Sequence, residues 1–306
     1  MYYLYTSVKF RVLNFLILQY MLDKILIAVD EQSVDSPSVR FADILSKRFG
    51  SKIYLLNVIP GFDKFVNAFE EQEKYKLTDW IDNKFVPEKR AVMESIKLSF
   101  NGCGLDCDIL TKQGIPYQEI INTGIEKGVD LLILDRERHH RRSILGGTAQ
   151  KVLRNSEIPI LTFNNKPLRI DIKKILLPID LYHVIMKFSL SKLFDYIKEL
   201  SRAFDAEITK LYVIEQGNHR LPLEVIEKIK EDCLNKLSAA GSNGFLSAVE
   251  LNTNAWSGIL NYAESNNSDL IVLTRYAGKD FRPKFLGSTA EKVIQEAPCP
   301  VITIHP

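Results

Sequence analysis

The sequence predicts an α/β protein made of two tandem, doubly wound parallel sheets of five strands each, with helices on both faces. Three observations carry that expectation. First, the chain repeats itself: Lys24-Ile-Leu-Ile-Ala-Val-Asp30 returns as Lys174-Ile-Leu-Leu-Pro-Ile-Asp180, and Leu56-Asn-Val-Ile59 as Leu211-Tyr-Val-Ile214. Asp130-Leu-Leu-Ile-Leu134 returns as Asp269-Leu-Ile-Val-Leu273. Gly146-Gly-Thr-Ala-Gln-Lys-Val-Leu153 with Ile158–Phe163 returns as Gly287-Ser-Thr-Ala-Glu-Lys-Val-Ile294 with Cys299–Ile304. The order is kept throughout, which means a whole domain has been duplicated. Second, the apolar runs are short and nearly continuous, as strands buried on both faces require. Third, each run is followed by a helical pattern, so consecutive strands are joined by parallel crossovers.

The elements of the first unit follow in order. Ile25–Val29 is the first strand. Ser36 caps the next helix, Pro37 suits its first position and Gly50 its end. Val39, Phe41, Ala42, Ile44, Leu45 and Phe49 form its buried stripe. Ile53–Ile59 is the second strand, and Glu70–Phe100 reads as helix broken near Pro87. Cys107–Thr111, Leu131–Leu134 and Ile158–Phe163 are strands three to five, with helices after Gly114-Ile-Pro116 and after Gly147. The second unit repeats the pattern, with helices at Ser191–Phe204 and Leu221–Ala240. The domains are expected at 23–165 and 172–306, with a seam at Asn164-Asn-Lys-Pro167. Residues 1–22 form an apolar N-terminal extension, with Met21 read as the natural start. Its run from Val12 to Leu22 is well short of the ~20 residues that span a bilayer, and no cleavage site follows.

Composition narrows the function. Forty basic and 38 acidic residues in 306 leave a net charge of +2, which argues against nucleic-acid binding. Four cysteines without a CxxC pair fit a reducing, cytoplasmic setting with no structural metal. Cys103 and Cys107, four apart, are read as ordinary thiols, with a regulatory disulfide as the alternative. Five scattered histidines give no metal pair, and no G-x-S-x-G turn or P-loop appears. Of these histidines, His183 alone falls near the expected ligand mouth.

Open α/β sheets bind ligands at the carboxyl ends of their strands, where strand order reverses. Asp30 and Asp180 each end a first strand there. Such a carboxylate accepts hydrogen bonds from a ribose or an amino group, or caps the turn that follows. Gly287-Ser288-Thr289 opens a helix after a loop, where free backbone amides suit a phosphate, although it is also an ordinary helix start.

On these residues the sequence resembles a tandem member of the universal stress protein family, UspA-like in each half, over about 24–163 and 174–304. The most specific stretch is Asp269-Leu-Ile-Val-Leu-Thr274 with Gly287–Ile304. The resemblance implies a fold like that of the adenine nucleotide alpha hydrolases. It also implies a non-catalytic stress-response protein whose paired domains form an intramolecular pseudo-dimer, with a further homodimer open. Nucleotide-binding members carry Gly, two residues, Gly, nine residues, then Gly-Ser or Gly-Thr. Here the two loop glycines fall on Thr274 and Ala277, with Gly278 adjacent, while the loop length and Gly287-Ser288 are kept. By resemblance Asp180 and the backbone of Val213 would hold the nucleoside, and ATP binding is expected in the second unit. In the first unit the loop is two residues shorter, Gly147 replaces the serine, and Arg136–Arg142 is basic.

Two other readings stand beside this one. A scaffold that has lost nucleotide would bind a protein or a hydrophobic metabolite, with the aromatics of Phe62–Phe85 (Phe65, Phe69, Tyr75, Trp80, Phe85) as its lining or as a core-facing helix. Slow ATP hydrolysis is the enzymatic alternative. The resemblance also implies that the last strands of paired domains meet, which makes Ile158–Phe163 and Val301–Ile304 candidates for edge pairing within the chain; the alternative is that they are outer strands of their own sheets.

Overall fold

A computed structural model describes residues 22–29, 36–60, 71–102, 104–134, 146–163, 171–181, 191–216, 222–239, 244–274 and 286–304. Residues 1–21, Asp30, Phe65, Phe69, Cys103, Arg136–Arg142, the 164–167 seam, His183, Ala277 and Gly278 lie outside the described residues. The described chain falls into two compact units, residues 22–134 with 146–152, and residues 153–304.

In the first unit β1 (Lys24–Ala28), β2 (Lys52–Pro60), β3 (Cys107–Gly114) and β4 (Leu131–Leu134) run parallel in the order β3-β2-β1-β4. Between β1 and β2, α1 (Pro37–Phe49) has the ends its sequence foretells. Ser36 Oγ accepts from Val39 N at 3.4 Å, and Gly50 closes the helix at φ 71°, a left-handed conformation that favours glycine. Phe41, Ala42, Leu45 and Phe49 are buried beneath it.

The long helix between β2 and β3 departs from expectation at Pro87. It is not broken there. Instead α2 (Glu71–Trp80) passes through a π-helical turn, Ile81–Phe85, into α3 (Val86–Gly102). Val86 N donates to Ile81 O, five residues back, and this widened turn receives the proline, which has no N–H to offer. Nor does α2 face the core. Tyr75 is 75% and Trp80 44% exposed, and the first fully buried residues on the far side of the turn are Met93, Ile96 and Phe100. Trp80 packs instead on Phe85, with ring centroids 5.2 Å apart.

The helix before β4, α4 (Pro116–Lys127), ends at Gly128, φ 60°. The buried thiol of Cys107 is free and is pushed up to about 12, chiefly by burial, so it stays protonated and inert at neutral pH.

The second unit orders its strands β5-β10-β9-β6-β7-β8, namely β5 (Ile160–Thr162), β6 (Lys174–Pro178), β7 (Glu207–Glu215), β8 (Leu246–Asn252), β9 (Leu270–Thr274) and β10 (Val301–Ile304). All neighbours are parallel except β5 and β10, which run antiparallel with Leu161 opposite Ile302. These two strands are the two copies of one repeated segment. Their equivalent threonines each bond across the pair: Thr162 Oγ1 donates to Val301 O and Thr303 Oγ1 to Ile160 O, both at 3.3 Å. Helix α5 (Gly147–Asn155) precedes β5, and α6 (Ser191–Phe204), α7 (Leu223–Ala239), α8 (Ala255–Ser265) and α9 (Ser288–Glu296) follow β6, β7, β8 and β9.

The repeated aspartate that precedes the fourth strand of each unit ties that strand to the first. Asp130 Oδ2 accepts from Lys24 N at 3.0 Å, and Asp269 Oδ2 from Lys173 N and Lys174 N at 2.9 and 3.0 Å.

Successive side chains of β7 point to opposite faces. Lys210 lies on the face covered by α7, 1% exposed, and its Nζ donates to Leu237 O in the last turn of that helix at 2.7 Å. Burial holds the amine below the ordinary lysine value. The unfolded chain therefore takes up this proton more readily than the folded one, and folding gains stability as pH rises through the depressed value. Denaturant melts should show wild type gaining stability relative to Lys210→Met as pH climbs towards about 10.4, the ordinary lysine value. A constant difference across that window would contradict the assignment.

Candidate functional site

Strand order in the second unit reverses around β6: β7 and β8 lie on one side, β9 and β10 on the other. A cavity of about 540 Å³ opens there, at the carboxyl ends of β6, β7 and β9. Its shape follows from unequal strand lengths. The β6–β7 ladder ends at Pro178 opposite Leu211, with Ile179 N donating to Leu211 O at 2.8 Å, while β7 continues to Glu215. By the two-residue period of a strand, the N–H and C=O of Val213 point the same way as those of Leu211, past the end of β6.

Of the residues expected from sequence, the cavity gathers Asp180, Val213, Thr274, Gly287 and Thr289 in its lining. Asp180 is exposed two residues beyond β6, Val213 is 8% exposed, and Thr274 is the last residue of β9. Ser288 opens α9 and is exposed, but it is not part of the lining. Of the first unit's expected site, Gly147 opens α5, and Asn57, the counterpart of Tyr212, is buried with its Nδ2 donating to Val29 O at 3.1 Å.

Gly287 is the N-cap of α9, at φ −58°, and Glu291 N makes the first intrahelical bond to Gly287 O at 2.9 Å. The amides of Ser288, Thr289 and Ala290 precede that bond and have no partner within the helix. Neither backbone conformation nor packing demands glycine at 287. Its φ is open to any residue, and a Cβ there would meet no atom within 4 Å.

Helix α8 supplies the opposite wall through Ala255 and Ile259, and here the structure brings in residues the sequence reading passed over. The start of α8 is largely taken up by side chains. Glu215 Oε1 accepts from Ala255 N at 2.6 Å, Asn254 Oδ1 from Ser257 N at 3.0 Å, and Asn252 Oδ1 from Ser257 Oγ at 2.6 Å. The Asn252-Thr-Asn254 cluster was a readable capping signal, whereas Glu215 enters only through the proximity of β7 to α8.

The lining carries two carboxylates, Asp180 and Glu215. Burial first, then Cys233, Asp180 and Glu215, push the Tyr212 phenol up, so it stays neutral. Among the described residues no group of three His, Cys, Asp or Glu side chains is placed to hold a metal ion, and no helix is long and apolar enough to cross a membrane.

The sequence model described as the universal stress protein family matches residues 21–164 and 171–305. Universal stress protein MJ0577 of Methanocaldococcus jannaschii is 27% identical over 135 residues, covering 44% of this chain and 74% of that protein. Universal stress protein MJ0531 of the same organism is 26% identical over 146 residues, 43% of this chain and 81% of that protein. Among solved structures, PA1789 of Pseudomonas aeruginosa aligns with TM-score 0.67 at 16% identity, covering 94% of both chains. A universal stress protein of Archaeoglobus fulgidus aligns with TM-score 0.62 at 19% identity, covering 94% of this chain and 98% of that one. At these identities the structural matches establish the shared fold.

One glycine holds the cavity floor in place. A Cβ on Gly258 would stand 2.5 and 2.9 Å from the two methyl carbons of Val213 and 3.1 Å from Asn252 Cβ. Gly258→Ala should therefore destabilise the protein by about 1–3 kcal/mol as α8 or Val213 shifts. Denaturant unfolding measures this, and an unchanged midpoint would mean that the contact yields freely.

Proposed function

The chain belongs to the universal stress protein family, whose domain it carries twice in tandem, and from that premise we propose that it is a non-catalytic regulatory protein whose second domain binds an adenine nucleotide, ATP in the first instance. The observation that carries the reading is one cavity joining three complementary surfaces: the free backbone edge of Val213, the Asp180 carboxylate and the open first turn of α9. A purine edge fits the first, a ribose hydroxyl the second and a phosphate the third. A volume of about 540 Å³ falls within the usual range for small-ligand sites, roughly 300–1,000 Å³. That glycine at 287 serves neither conformation nor packing supports close approach of a ligand there.

The described cysteines, all free, support a reducing, cytoplasmic setting.

The test is mass spectrometry of ligand released from the purified protein, with calorimetric titration of ATP into wild type and Asp180→Ala. Co-purified adenine nucleotide, and an affinity lowered at least about tenfold in the variant, are the expected results. Neither nucleotide nor heat at millimolar ATP would end this reading and leave the scaffold alternative.

A further inference from the structure

We propose that Glu215 is a specificity-determining residue of this cavity, selecting purines that carry a 6-amino group over those that carry a 6-oxo group. The proposal rests on the adenine-nucleotide reading of the same site and adds a residue to it.

The cavity is bordered by two helix starts that differ. At α8 a carboxylate already sits on the first amide, with Glu215 accepting from Ala255 N and Asn254 from Ser257 N, whereas α9 begins at a glycine and no side chain caps it. An anionic group therefore goes to α9, and the uncharged end of the ligand turns towards β7.

On β7, Val213 and Glu215 are two residues apart and share one face. Running up the strand, an incoming base meets the N–H of Val213, then its C=O, then the Glu215 carboxylate. An aminopurine presents an acceptor ring nitrogen and a donor amino group in that order. A 6-oxo purine presents the reverse, a ring N–H and a carbonyl oxygen. The 6-substituent is the group nearest Glu215, so the carboxylate attracts an amino group and repels a carbonyl.

The helix junction alone does not require a carboxylate. In the first repeat the counterpart of Glu215 is Pro60, which pairs with Gly114 as Glu215 pairs with Asn252. There α4 starts at Pro116, which has no N–H to satisfy, and its N-cap Ile115 makes no side-chain bond. The same turn is thus built without an acid in the first repeat.

The experiment compares calorimetric affinities for ATP and inosine triphosphate in the full-length wild type and in Glu215→Gln. Glutamine keeps an oxygen to accept from Ala255 N, so the start of α8 is preserved, while its amide can donate to a 6-oxo group. Wild type should prefer ATP, and the preference should shrink about tenfold in the variant at an unchanged melting temperature. A preference unaltered by the substitution, or equal affinities in wild type, would overturn the role of Glu215 while leaving nucleotide binding intact. If wild type takes up neither nucleotide, the adenine-nucleotide reading falls and the role of Glu215 with it.

Discussion

The candidate site depends on where one ladder stops. Between β6 and β7 the last backbone bond is Ile179 N to Leu211 O, and most of what lines the cavity lies beyond it. Had β6 run two residues further, Val213 would spend its N–H and C=O within the sheet, and no edge would remain to read a ligand. The first unit stops its ladder at the equivalent point, with Val29 N donating to Leu56 O at 2.9 Å. There the side chain of Asn57 reaches back to Val29 O. The truncation is thus a property of the repeat, and the two copies have put different side chains around it.

A second constraint holds the strands in phase. Each unit places an aspartate just before its fourth strand, and that carboxylate takes backbone amides at the head of the first. The switch point requires these two strands to be adjacent although most of a unit separates them in sequence. A charge-assisted bond at the base of the pair fixes their register, and so fixes the distance at which Asp180 and Thr274 emerge at the top.

Most of the architecture was legible because its causes are local. Ser36, Pro37 and Gly50 bound α1 through interactions within a few residues, and the repeated strands announce themselves by composition. Five of the eight expected site residues fall in the cavity lining for the same reason: they lie at strand ends and a helix start that the repeat made visible. What was not legible depends on long-range contact. Gly258 reads as an ordinary helix residue until Val213 is seen against it, and Glu215 as the end of a strand until Ala255 N is found beside it. Pro87 misled in the opposite sense. A proline signals interruption, but a turn five residues wide absorbs it without ending the helix.

That wide turn has a consequence for the phase of the helix that contains it. An α-helix advances about 100° per residue, so one extra residue looped into Ile81–Phe85 rotates everything upstream by about that angle relative to everything downstream. The stripe defined by Met93, Ile96 and Phe100 cannot be extended back into α2 by counting threes and fours. The π turn acts as a phase shifter. It frees the composition of α2 from the periodicity that the core imposes on α3, so aromatic side chains such as Tyr75 and Trp80 can stand in solvent on a helix whose other half carries a buried stripe.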